Sequence, residues 1–482
     1  MLEKIVSAVN DIVWSPALVV LLIAAGLYFS IRTRFVQVRR LKLMVKLLFS
    51  RKKKEPSEAG SSDATGEPKS DTKGVSSFQA FCLAIAGRVG TGNIVGVATA
   101  IAMGGPGAIF WMWVIAFLGA STAFVESTLA QIYKFPHHTG WRGGPTCYID
   151  NGLKQRWLGI LFAVFTIIGY GLLLVTVQSN GAASAAFNAF NVPPVTGGIV
   201  LAALLLLVIS GGIKRSANVA EIVTPIMAEL YILFSLVIIG INYKAVPGVF
   251  NMIFSSAFGT HSVFGGIVGS AIAFGVKRGL FSNEAGEGGG AIISASADVT
   301  HPAKQGLVQA FSVYIDTLLV CTATALMILT SGTYNVFAPS GEMIVSSAPE
   351  LSNNYVGFTQ TAVDNVFGGF GAAFVSIALF FFVFTTLMAY DLYAESSIVY
   401  LFSYGKKRHH RAERAVIWAY RFLIAGAVVF GSMREANVIW QMGDIGVGLT
   451  TWINVIVILI LSPQAFRALK DLEKKEKAGE LD

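Results

Sequence analysis

Arg88-Val-Gly-Thr-Gly-Asn93 and Arg278-Gly-Leu-Phe-Ser-Asn283-Glu284-Ala-Gly286 are the two stretches on which the fold turns. Each sets glycines, hydroxyls, an asparagine and charge in the middle of a long apolar run, with Arg and Asn five residues apart. In a soluble protein such stretches would be ordinary loops. Their surroundings exclude that: 54% of the 482 residues are hydrophobic, 13% are charged and the mean hydropathy is +0.64. A chain of this composition belongs in lipid.

A bilayer core about 30 Å thick needs roughly 20 apolar residues per helix. Working outward from the two interrupted stretches, hydropathy and breaker residues predict eleven spans, at 12–31, 77–103, 107–134, 157–188, 195–211, 218–243, 262–297, 305–331, 367–402, 411–431 and 436–462. Runs such as 199–209 and 374–388 are continuously apolar where a membrane barrel would alternate. The expected fold is therefore an all-α polytopic membrane bundle. The first apolar run is flanked by Arg32 and Arg34 without a small-residue cleavage site, so it reads as a retained helix. Cys82, Cys147 and Cys321 stand singly, which gives neither a disulfide framework nor a zinc site.

The net charge of +8 could suggest nucleic acid, but the basic residues lie beside apolar spans and not on one amphipathic face, so no nucleic-acid partner is expected. If the first span runs outside to inside, the inner segments collect Arg32 to Lys73, then Lys134, Arg142, Lys154, Arg156, Lys214, Arg215, Lys304, Lys406 to Arg414 and the tail after Arg467. The outer segments keep only Lys4, Lys244 and Arg434. The positive-inside rule then predicts a multi-pass protein of the cell (inner or plasma) membrane, in contact with its lipids, with the N-terminus outside and the C-terminus cytoplasmic. Residues 51–75 are polar and charged and read as a flexible cytoplasmic linker. The mixed basic stretch 36–48 before it reads equally as an inner-leaflet contact or a solvated loop.

Shifting the second stretch by 190 residues superposes Arg278 on Arg88, Asn283 on Asn93, Gly286 on Gly96 and Asp316 on Glu126. Interrupted apolar segments at corresponding places in two halves are the sequence sign of an inverted-repeat transporter. The chain then divides as one transmembrane unit over 1–482: an extra helix 12–31, a first repeat 77–243, a second repeat 262–462 and a cytoplasmic tail 463–482. An unwound backbone at mid-membrane persists only where it lines a cavity or binds something. The half-helix starting near Asn93 would offer N–H groups to a carboxylate, and carbonyls around Ala86 and Val89 would hold a hard cation. Adjacent Thr385 and Thr386 in a Phe-rich wall add oxygen ligands, although a lone intramembrane threonine often bonds only its own backbone. Arg88, Glu126, Lys277, Arg278, Glu284 and Asp316 are expected to neutralise one another near the gates, unless Arg88 or Lys277 snorkels to an interface.

At these residues the sequence resembles the alanine or glycine:cation symporter family. The likeness runs through RVGTGNIVGVATAIAMGGPGAIFWMW, ESTLAQIY, RGGPTCYI, GGIKR, KRGLFSNEAG and KQGLVQAFSVYIDTLLVCTATALMIL, over nearly the whole chain. The resemblance implies a LeuT-type fold of five plus five helices after an extra N-terminal helix, importing small neutral amino acids (alanine, glycine or a relative such as glutamine) with sodium or sometimes protons, and no other cofactor. It implies substrate contacts from Thr91, Gly92, Asn93, Gln178, Phe281, Ser282, Asn283, Glu284 and Ala285, and sodium contacts from Ala86, Val89, Thr385 and Thr386. Two departures stand out. Glu287-Gly-Gly289 replaces the usual Met-Gly-Ser, and Tyr390 replaces the usual tryptophan of the pocket wall, which brings glutamine and partial proton coupling into play. Glu229 is a further unusual carboxylate within a span.

Two other classes are disfavoured. No GxSxG, HExxH or GxxxxGK[ST] is present, and His137, His138, His409 and His410 fall in loops among basic residues, so neither an enzyme nor an ATP-driven pump is expected. An ion channel would tolerate the same helices but would give no gradient-driven accumulation.

Overall fold

The computed structural model describes residues 2–49, 74–403 and 410–480; most of the expected linker, 51–73, and the basic loop 404–409 lie outside them. Among the described residues, eight helices are long and apolar enough to cross a bilayer: Lys4–Arg32, Gly107–Ile132, Arg156–Phe190, Gly212–Ile241, Pro302–Ser331, Gly371–Phe402, His410–Ser432 and Ala436–Lys477. Ser77–Arg88 and Gly92–Gly104 make a ninth if the pair, bent by 51° at its break, counts as one span. Two expected spans fall short of this test for physical reasons. The region 195–211 folds as Pro194–Ile209, 16 residues bounded by prolines at one end and glycines at the other. The region 262–297 is divided by its break into Val268–Asn283 and Gly289–Ser296, neither of which has a full bilayer's length.

Two apolar helices lie in segments expected to be connections, Val246–Ala257 and Tyr355–Phe367. The last helix runs through Pro463 to Lys477. Its final turns are held in place because Leu469 and Leu472 are buried and because Glu473 and Glu476 pair with Arg39 and Arg40, at 2.6 and 2.5 Å. His301 and Asp471 meet beside them, 3.1 Å apart. The basic stretch after Arg32 therefore docks on the C-terminal helix through its arginines.

Gly107–Ile132 sits at the centre, packed against both halves of the second broken helix and against Pro302–Ser331. Three of the spanning or broken helices are locally widened into π-helical turns, at Gly92–Gly96, Gly169–Leu174 and Tyr314–Cys321. Such turns cluster at functional sites because they free backbone groups and re-aim side chains. Here they carry Asn93, Tyr170 and Asp316. The two breaks are not in the register of the 190-residue shift. The first begins directly after Arg88, whereas the helix carrying Arg278 continues to Asn283 before it opens.

Candidate functional site

The first broken helix starts with a reciprocal cap, in which Ser76 and Gln79 exchange side-chain to backbone hydrogen bonds of 3.0 Å. It ends at Arg88, and Val89 is extended, with φ −79° and ψ 93°. The amides freed by the break must find partners inside the protein. The N–H of Gly90 donates to Asn93 Oδ1 at 2.9 Å. The N–H and the hydroxyl of Thr91 both donate to Gln178 Oε1, at 2.9 and 2.8 Å. Gln178, on Arg156–Phe190, thus lays a single amide oxygen where two donors converge.

The carbonyls freed on the other side of the break face Gly371–Phe402. Thr386 Oγ1 lies 2.8 Å from Ala86 O, 3.2 Å from Val89 O and 2.9 Å from Phe382 O. Three carbonyl oxygens therefore converge on one hydroxyl oxygen, and all four atoms are of the kind a hard cation takes. Thr385 does not join them. Its hydroxyl bonds to Phe381 O and Phe382 O of its own helix, both at 3.0 Å, and faces Met227 Sδ at 4.0 Å. Phe382 O, unforeseen from the sequence, accepts from both threonine hydroxyls, and only Thr386 also reaches the carbonyls of the break.

The second break runs from Glu284, left-handed at φ 53°, through Gly286 and Gly288 at φ 99° and 98°. Its polar backbone is satisfied from neighbouring helices. Arg88 Nε donates to Asn283 O at 2.6 Å, and Asn454 Nδ2 donates to Gly286 O at 2.9 Å. Asp316 ties the two breaks together: it accepts from Asn93 Nδ2 at 2.6 Å and from the hydroxyl of Ser282 at 2.8 Å. Ala285 N–H turns back to Asn283 Oδ1 at 3.0 Å, and Phe281 packs on Trp440 with ring centroids 5.1 Å apart.

A match to the sodium:alanine symporter family model covers residues 1–482. The chain belongs to the sodium:alanine symporter family. It is 49% identical to the Bacillus subtilis (strain 168) carrier protein YrbD, over 98% of this chain and 93% of that one. It is 47% identical to the "Sodium/proton-dependent alanine carrier protein" of Bacillus sp. (strain PS3), over 85% and 91%. It is 41% identical to the B. subtilis (strain 168) "Probable sodium/glutamine symporter GlnT", over 99% and 92%. This is a family of transporters and not of enzymes.

In this member of the symporter family the buried charges are arranged otherwise than the sequence suggested. Lys277 and Arg278 pair with neither glutamate nor Asp316 but with Asp444, at 2.8 Å for Lys277 and through a two-pronged contact of 2.9 and 2.8 Å for Arg278. The Arg278 guanidinium also lies 4.6 Å from the Trp440 ring centre. Arg88 makes no ion pair within 4.0 Å among the described residues; Gln309 (3.2 Å) and Ser312 take its remaining contacts. Glu126, Glu284 and Glu287 are held by neutral donors, Asn454, Tyr393 and Tyr170, each at 2.9 Å. Tyr170, Tyr390 and Tyr393 form one aromatic cluster with centroids 4.9 to 5.8 Å apart, and Gln178 Nε2 reaches Tyr390 at 3.5 Å. Glu229 is exposed.

Asp444, Asn454, Gln309, Ser312, Tyr170 and Tyr393 were not singled out from the sequence. The signal for Asp444 was present, since it is a lone carboxylate inside the apolar run 439–461. Nearer the end that carries the hairpin Phe135–His137 with Gly140–Arg142, Glu395 is gripped by Arg142 at 2.5 Å and Arg421 at 2.8 Å. Beside it a cavity of about 390 Å³ is lined by His137, His138, Glu413 and Arg414.

Proposed function

We propose that this chain imports a small neutral amino acid together with sodium, by alternating access around the two breaks. The observation that carries the reading is the convergence, on the two sides of one break, of the oxygens of Ala86, Val89, Thr386 and Phe382 and of the Thr91 donors. Sodium fits the first set. The carboxylate of an amino acid replaces Gln178 Oε1 on the second, helped by the positive end of the half-helix. Gly92, Asn93, Phe281 to Ala285 and Tyr390 enclose the rest of the substrate. Arg88 and Asp316 tie the two breaks together, Asn454 joins Glu126 to the second break, Tyr170 holds Glu287 in it, and Asp444 anchors Lys277 and Arg278 beside the gate.

The repeat reading goes with this: five plus five helices in inverted order after an extra N-terminal helix, eleven spans in all, with the N-terminus outside and the C-terminus in the cytoplasm of the inner or plasma membrane. The names of its relatives support alanine and glutamine as substrates and both sodium and protons as coupling ions. One sodium crossing 100 mV supplies about 2.3 kcal/mol, enough to concentrate a zwitterion roughly 50-fold.

The test is uptake of labelled alanine, glycine and glutamine into sealed liposomes under an inward sodium gradient, a proton gradient, or neither. Accumulation above equilibrium with sodium supports the reading and ranks the substrates. Flux that only equilibrates, as through a channel, sinks it. Within the same assay Thr386→Val is expected to raise the sodium concentration for half-maximal uptake by about 10-fold or more, since a lost ion–oxygen contact is worth roughly 1.5–3 kcal/mol. Thr385→Val, whose hydroxyl faces its own helix, is expected to stay within about threefold of wild type. A larger effect at Thr385 than at Thr386 would contradict the oxygen set.

A further inference from the structure

We propose, resting on the sodium-coupled reading above, that Glu287 takes up one proton with each amino acid carried inward. Glu287 is 1% exposed, lies in the second break and accepts a hydrogen bond through Oε2 from Tyr170; among the described residues Oε1 has no hydrogen-bond partner. The charged and titratable groups that face it come from every neighbouring element: Glu284 from its own break, Glu126 from Gly107–Ile132, Arg88 from the first broken helix, Tyr170 from Arg156–Phe190, and Tyr390 and Tyr393 from Gly371–Phe402. Three carboxylates thus stand against one guanidinium, and with all of them ionised the cluster would carry two uncompensated negative charges in a low-dielectric interior. A buried carboxylate without a counter-charge takes a proton instead.

Two features single out Glu287. The bonded N–H groups of Arg88 are directed elsewhere, to Asn283 O, Gln309 and Ser312. The backbone of Glu287 lies between two left-handed glycines, Gly286 and Gly288, so its carboxyl group must move whenever the break rearranges. A proton rather than a second metal ion fits because the space is filled: a Cβ on Gly289 would stand 2.6 Å from the Tyr393 ring, 2.9 Å from Glu284 Oε2 and 3.0 Å from the Tyr170 hydroxyl. A metal ion would need a shell of oxygens there.

In the cycle an O–H bond of external hydronium breaks as the carboxylate of Glu287 forms one, and in the cytoplasm that bond breaks as water takes the proton to form hydronium; nothing is oxidised or reduced. Each turnover then carries one positive charge more than sodium alone, and a pH gradient of one unit multiplies accumulation by about tenfold.

The test uses the full chain in sealed liposomes with a pH-sensitive dye inside, a fixed sodium gradient, and alanine or glutamine added outside. Wild type is expected to acidify the lumen as the amino acid enters, and Glu287→Gln to lose both the acidification and the roughly tenfold effect of a pH gradient. Glu287→Asp is expected to retain both. Sodium-driven uptake by wild type without acidification overturns the proton site and leaves the symport reading intact. So does acidification by Glu287→Gln equal to wild type. Should Glu287→Gln fail to fold, Tyr170→Phe takes its place: loss of the hydrogen bond to Oε2 is expected to shift the pH dependence of the acidification, and an unshifted profile overturns the site. Uptake driven by a proton gradient with no need for sodium supports the proton site while overturning sodium coupling, and no uptake under either gradient overturns both.

Discussion

Gly90→Ala is expected to slow sodium-driven amino-acid uptake by about 10- to 100-fold while leaving the protein folded in the membrane. A Cβ at this position would stand 2.7 Å from Gln178 Oε1 and 2.7 Å from Thr386 Oγ1. One methyl group would therefore press on both halves of the proposed site at once: on the oxygen that occupies the Thr91 donors, and on the hydroxyl among the carbonyls of Ala86, Val89 and Phe382. Gln178 is long enough to swing away, but in doing so it leaves the Thr91 amide without its acceptor. Thr386 is β-branched on a long rigid helix and has little freedom to move. Overpacking a close-fitted interior costs about 1–3 kcal/mol, and each 1.4 kcal/mol is a factor of ten. The control is Gly240→Ala, because a Cβ there meets nothing within 4 Å. Initial rates of uptake measure both variants. A Gly90→Ala protein as fast as wild type would mean that the site does not lie at this break.

Asp444→Asn is expected to be the most damaging single substitution for stability. Asp444 is 2% exposed and holds two cations at once, so removing its charge leaves Lys277 and Arg278 facing each other without compensation. Breaking a buried pair from one side costs about 3–5 kcal/mol, most of it the penalty of the stranded charge. The opposite partner behaves differently. Two cations on one anion leave an excess positive charge, so Lys277→Met removes that excess and keeps the two-pronged contact of Arg278; its stability is expected to equal or exceed that of wild type. Unfolding is read by the labelling of Cys82, Cys147 and Cys321, all free and buried, with a thiol-reactive dye during heating. A large loss in Lys277→Met with little change in Asp444→Asn would reverse the assignment of the anchor.

The apolar runs made most of the helices legible, because a bilayer leaves a long uncharged segment no alternative to internal hydrogen bonding. The same argument picked out Arg88–Asn93 and Arg278–Gly286 as interrupted, since glycine, asparagine and hydroxyls in such a run have to be explained, but it could not tell that the second opens only after Asn283. It could not supply the helices Val246–Ala257 and Tyr355–Phe367, which are about two-thirds of a bilayer core long and carry no composition that separates them from a connection. Nor could hydropathy foresee that the C-terminal helix continues past Pro463, because its final turns depend on Arg39 and Arg40, more than 430 residues away in sequence.

Sequence alone determined that this protein lies in a membrane, that two of its apolar runs are interrupted and which family it resembles, because these follow from local composition, spacing and motif. Tertiary structure alone decided the pairings. It gave Lys277 and Arg278 to Asp444, surrounded the glutamates with tyrosines and an asparagine, turned Thr386 toward the carbonyls of the break and turned Thr385 away. Residues adjacent in the chain, such as these two threonines, point about 100° apart around a helix. Which of them meets the break depends on how that helix is rotated against its neighbours, and the packing of the whole bundle sets that rotation.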